Sequence, residues 1–223
     1  MLLTRRIAQL VIGLFLYGVA LAMMMRAVVG VGPWDVLSQG ISNHTGIPFG
    51  WTTNILGAIV LLLWIPLRQR PGIGTVANVL LLGTSAQIGL AFIPIQEGWM
   101  SQTLVFAAGL VLLALATGLY IGAGFGPGPR DGLMTGLNKR FGIPVWAART
   151  AVEISVLIVG WLLGGNVGIG TLAFALLIGP MCNLTIPWFR LQVAPRVDRQ
   201  GVAHKSGAGE PTVVLREPVV RDV

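Results

Sequence analysis

Carboxylates are scarce in this 223-residue chain: the first 189 residues hold only Asp35, Glu97, Asp131 and Glu153. Charged residues make up 10% of the whole, where soluble domains carry about 25%. That is too few to cover a water-facing surface, and a soluble globular domain is excluded. A single cysteine, Cys182, rules out an intramolecular disulfide and a multi-cysteine metal site. The two histidines, His44 and His204, have no partner at metal-ligand spacing. No H-E-x-x-H, Walker loop or G-x-S-x-G occurs. Gly124-x-Gly126-x-Gly128 has no strand before it and is discounted as a dinucleotide loop. The chain therefore reads as a non-enzyme, with no catalytic residue, metal or cofactor expected.

Apolar residues fill the space, at 54% of the chain, with a mean hydropathy of +0.80. This is the composition of an all-α, polytopic membrane protein. A span needs about 20 mostly apolar residues. Six segments qualify: Ile7 to Met25, Trp51 to Leu67, Ile73 to Ile95, Thr103 to Ala123, Val145 to Leu163 and Ile169 to Phe189. The first has a signal-peptide-like Ala20-Leu21-Ala22, but its length and its recurrence later favour an uncleaved span. Gly164-Gly165-Asn166 turns the chain between the last two.

The net charge of +7 is not a nucleic-acid footprint, because Lys and Arg lie between apolar segments and in the tail. With the N-terminus inside, thirteen of the fifteen basic residues fall on the inner side, among them Arg5, Arg6, Arg68, Arg70, Arg130, Lys139 and Arg140. Both termini are expected in the cytoplasm, with Glu97 outside. Trp51, Trp64, Trp99, Trp146, Trp161 and Trp188 sit near span ends, where an aromatic belt is expected. Residues 190–223 lose the apolar character and read as a disordered basic cytoplasmic tail, or as a partner-binding peptide.

An offset of 96 positions brings two halves into register without a gap. Gly30, Gly32, Pro33, Asp35, Leu37 and Gly40 fall on Gly126, Gly128, Pro129, Asp131, Leu133 and Gly136. Gly46-Ile47-Pro48 falls on Gly142-Ile143-Pro144, and Gly72-Ile73-Gly74-Thr75 on Gly168-Ile169-Gly170-Thr171. The repeats run over about 7–95 and 103–189, within a transmembrane domain of 1–189. Three spans per repeat, an odd number, make the expected pair inverted in topology, as in many secondary transporters.

Gly-x-Gly-Pro-Trp-Asp-Val-Leu, its later counterpart Gly-Pro-x-Pro-Arg-Asp-Gly-Leu, and the doubled Gly-Ile-Gly-Thr resemble the YczE/YyaS/YitT family of bacterial membrane proteins. The resemblance covers about residues 7–189 and implies a multi-pass protein of the bacterial inner membrane. It implies no substrate and no catalytic residue.

Asp35 and Asp131 admit two readings. Each could cap a short helix, Val36 to Asn43 and Gly132 to about Arg140. Alternatively both segments re-enter from opposite faces and bring helix ends and carboxylates to a solute or proton. Arg149 and Glu153, spaced i, i+4, share one helix face, with Glu153 about 13 Å from Pro144 along the axis. A charge at that depth suggests a functional site, against the alternative of a fixed ion pair with Arg149 snorkelling. Arg26 could neutralise Asp35, meet an anion, or anchor the first span at the interface. Gln87 and Asn183 share the repeat register and complete the pathway candidates, against ordinary interhelical bonding. The leading expectation is a transporter or permease for a small polar or ionic solute. A non-transporting scaffold or regulator is the alternative, and an intramembrane enzyme a distant third. The expected partners are the bilayer and that solute, with no nucleic acid and self-association left open.

Overall fold

The computed structural model describes residues 2–189, and the expectations for the tail lie outside that range. The described chain is all helical: α1 (Leu2–Ala27), α2 (Pro33–Thr45), α3 (Phe49–Leu62), α4 (Ile73–Phe92), α5 (Trp99–Gly122), α6 (Pro129–Phe141), α7 (Val145–Leu162) and α8 (Ile169–Phe189). α1, α4, α5, α7 and α8 are each long and apolar enough to cross a membrane. A sixth crossing follows if α2 and α3, bent by 119° at the break between them, count as one.

The helix starts obey the sequence repeat. α2, α3 and α4 begin at 33, 49 and 73, and α6, α7 and α8 begin at 129, 145 and 169. The short helices owe their limits to the same residues. Pro33 and Pro129 stand in the first turn, where a missing N–H costs nothing. Gly46 and Gly142 end them at φ +75° and +70°, donating their N–H to Ser42 and Asn138 carbonyls. The Ser42 hydroxyl and the Asn138 amide then donate to the carbonyls of Ile47 and Ile143.

α1 and α5 pack antiparallel at the centre. Gln9 donates to the Leu119 carbonyl at 3.0 Å, while Gly109 lies against Met23 and Met24. α4 runs in the direction of α1, with Gly18 against Ser85 and Gly89 against Ala22. α8 follows α5 in the same way: Gly170 lies against Phe106, and the Thr185 hydroxyl donates to the Ala114 carbonyl at 2.7 Å. The halves also exchange backbone bonds. Gly74 N–H donates to the Phe125 carbonyl at 3.0 Å, and Gly170 N–H, 96 positions on, donates to that of Val29 at 2.8 Å. α2 packs on α7, and α6 packs on α3.

The second span differs from expectation. Its helix stops at Leu62, short of Leu67, and residues 63–68 turn onto α6. Trp64 is buried rather than part of a belt: its indole N–H donates to the Pro129 carbonyl at 3.0 Å, and its ring fills the space a side chain at Gly132 would need. Leu67 packs beside Gly136, and Pro66 withholds the N–H that would continue the helix.

A polar cavity where the two short helices begin

The starts of α2 and α6 meet beside a cavity of about 780 Å³, counted out to its open mouth. Gly32 and Gly128 precede the helices, and neither helix has a side-chain cap. The capping role expected of Asp35 and Asp131 is therefore overturned. Both aspartates sit inside the first turn, where the helix dipole favours a carboxylate but the side chain is free to reach elsewhere. Asp35 turns to the other half: its Oδ1 lies 3.5 Å from Nη1 of Arg130. That separation is an ion pair too long for a strong hydrogen bond. The same guanidinium stands 5.2 Å from the centroid of the Trp34 ring. Asp131 receives the Tyr120 hydroxyl at 3.4 Å, and Tyr120 meets Tyr17 edge to face at 6.0 Å.

Arg149 and Glu153 reach the same cavity from α7, with Arg149 Nε donating to Glu153 Oε1 at 2.9 Å. Their side chains are 52% and 27% exposed. A second pair, Asp35 with Arg130, joins the two halves across the same cavity.

The other candidates lie apart. Arg26 donates from Nη2 to the Leu90 carbonyl, tying the end of α1 to that of α4, and does not reach Asp35. Gln87 accepts from the Gly50 N–H at 3.0 Å and fastens α4 to α3. Asn183 is exposed on α8. Sharing a register does not give Gln87 and Asn183 a shared environment.

Sequence reasoning missed Arg130, Trp34, Tyr17, Tyr120 and Thr53. By sequence Arg130 reads as an inner-loop charge, yet its side chain is 23% exposed and faces Asp35. A signal was present: Arg130 directly follows the motif proline, where the first half has Trp34. The cavity also holds buried groups with no hydrogen-bond partner among the described residues: Trp34 Nε1, Asp35 Oδ1 and Thr53 Oγ1. Leaving such atoms unsatisfied costs about 1–3 kcal/mol each, and here all three line one space.

Comparison with known proteins places this geometry in a lineage. A family described as "Family of unknown function (DUF6198)" matches residues 4–187. An uncharacterized protein of Haemophilus influenzae is 35% identical over 175 residues, covering 78% of this chain and 80% of its own. The "Uncharacterized membrane protein YczE" of Bacillus subtilis is 31% identical over 172 residues, covering 77% and 80%. The "Uncharacterized protein YyaS" of the same organism is 26% identical over 184 residues, covering 79% and 90%. No solved structure matches. The doubled Gly-Pro motif, the apolar helices and these relatives agree, and the chain belongs to DUF6198, a family of YczE/YyaS-type bacterial membrane proteins.

Proposed function

We propose that the protein carries a small polar or ionic solute across the bacterial inner membrane. One observation carries the reading: a polar cavity sits where the starts of α2 and α6 meet, and Glu153 lines it. A protein acting only as a scaffold has no use for unsatisfied polar atoms around an internal space. The antiparallel packing of α1 on α5 supports inverted-topology repeats, the arrangement that puts a site at the junction of two halves. We read the activity as non-enzymatic.

The test begins with metabolite profiling of cells with and without the protein, followed by uptake of whatever changes in proteoliposomes. Wild-type vesicles should accumulate the solute, and Glu153→Gln should lower the rate by about tenfold or more while keeping the fold, since an amide preserves the shape. Wild-type uptake by Glu153→Gln removes that residue from the pathway. No uptake of any candidate solute by wild type removes the transport reading.

Orientation is a separate expectation. With Arg130 assigned to the cavity, twelve of the fifteen basic residues remain on the proposed inner side. Single cysteines placed at positions 97 and 135 should be labelled from opposite faces of intact cells. Labelling from one face would overturn the odd number of crossings.

A further inference from the structure

We infer that the solute is a small organic cation, and that Asp131 holds its positive charge. This rests on the transport reading for its biological meaning, but the binding claim stands on the cavity alone. The cavity is lined by three carboxylates, Asp35, Asp131 and Glu153, and two guanidiniums, Arg130 and Arg149. Each guanidinium already has a carboxylate within ion-pair distance, Arg130 at 3.5 Å and Arg149 at 2.9 Å. Asp131 has no such partner among the described residues, and its one hydrogen bond is from a neutral phenol. The site holds one more carboxylate than guanidinium, and Asp131 is the carboxylate that lies outside ion-pair distance of either.

The walls say what kind of cation fits. Tyr17, Tyr120 and Phe174 line the same space as Asp131, and aromatic faces attract organic ammonium groups most strongly where water is thinned out. A hard metal ion asks instead for a cage of oxygens. Among the described residues, no three acidic, histidine or cysteine side chains come together to supply one. The unpartnered atoms add a second requirement. Trp34 Nε1 offers a donor and Thr53 Oγ1 either a donor or an acceptor, so the solute should also carry a hydroxyl or amide.

Three probes separate these features: choline, tetramethylammonium, and the uncharged isostere of choline in which carbon replaces nitrogen. Each is titrated against the purified full-length chain in detergent while thermal stability is followed, with sodium chloride matching ionic strength. Choline should give a saturable rise in melting temperature, as a ligand of the folded state must. Tetramethylammonium should bind more weakly, and the isostere should bind at least about tenfold more weakly than choline. Asp131→Asn should lose about tenfold or more in choline affinity, and Asp131→Glu should recover part of it. If Asp131→Asn is poorly folded, Asp131→Ser provides the second check: it removes the charge with a smaller side chain and should lose choline affinity to the same extent. Equal binding of choline and its isostere, an equal response in Asp131→Asn, or no saturable response in wild type would overturn the assignment. Proteoliposome uptake keeps the two claims apart. Cation binding without flux sinks the transport reading alone, and flux of a neutral or anionic solute without cation binding sinks this inference alone.

Discussion

Arg130→Ala is expected to destabilise the protein by about 3–5 kcal/mol, the cost of stranding one member of a buried ion pair. Asp35 is 2% exposed, and its Oδ1 has no hydrogen bond among the described residues. Removing the guanidinium leaves that carboxylate buried without its countercharge. The pair itself adds far less than its loss costs, because desolvation has already consumed most of the attraction. Adding Asp35→Asn to Arg130→Ala should therefore recover most of the stability, and Asp35→Asn alone should cost less than Arg130→Ala alone. Arg149→Ala should be milder still, since the carboxylate it leaves, Glu153, lines the open cavity and is 27% exposed. Thermal unfolding of the four purified variants in one detergent measures the set. Additive losses at Asp35 and Arg130 would show that the two groups do not act as a pair.

The second large effect lies at a pair of glycines that the repeat makes equivalent. Gly83→Ala should cost about 3 kcal/mol, the upper range for an overpacked interior, while Gly179→Ala should be neutral or stabilising by about 0.5 kcal/mol through helix propensity. A Cβ on Gly83 would run into the Gly50 carbonyl oxygen and the side-chain oxygen of Asn54. The oxygen at Gly50 belongs to backbone and cannot swing aside. Asn54 also accepts the Gly83 N–H at 2.9 Å and donates to Thr84 at 3.1 Å, so displacing it breaks the seam between α3 and α4. Around Gly179 nothing lies within 4 Å. The difference begins 96 positions after Gly50, where Trp146 stands and its bulk excludes that close approach. Melting temperatures of the two alanine variants should move in opposite directions or differ severalfold. Equal losses would mean that α8 is packed in the membrane by something the single chain does not show.

The repeat was legible because it is written in residue types with backbone consequences. Gly at a helix end acts locally, and the ends at 45 and 141 fall within two residues of those read from it; the starts lie three residues earlier than expected, at 33 and 129, because the glycine before each proline, and not the aspartate, takes the cap position. The cavity was half legible. Asp35, Asp131, Arg149 and Glu153 stood out as charges in apolar surroundings, and all four line it. Their pairing was not legible, because i, i+4 spacing exposes a neighbour on the same helix and says nothing about one on the other half. Arg149 with Glu153 was found that way, and Arg130 with Asp35 was missed. Tyr17, Tyr120 and Thr53 were invisible for another reason: in a membrane helix such residues usually face neighbouring helices, and only the fold shows which face is hollow. Trp64 misled because belt positions and bend positions both occur at helix ends.

The crossed backbone bonds have a consequence for how the molecule is made. Gly74 waits for Phe125, and Gly170 closes on Val29. α2 packs most extensively on α7, where Gly160 lets the backbone of Leu37 come close. A ribosome that has finished the first half has therefore released a piece with its own helices formed but its seats empty. The piece must stay in the bilayer, incomplete, until most of its counterpart has been synthesised. In assembly the two halves behave like subunits of an obligate pair joined by a peptide bond, and that bond guarantees each half its partner at a local concentration no two separate chains would reach.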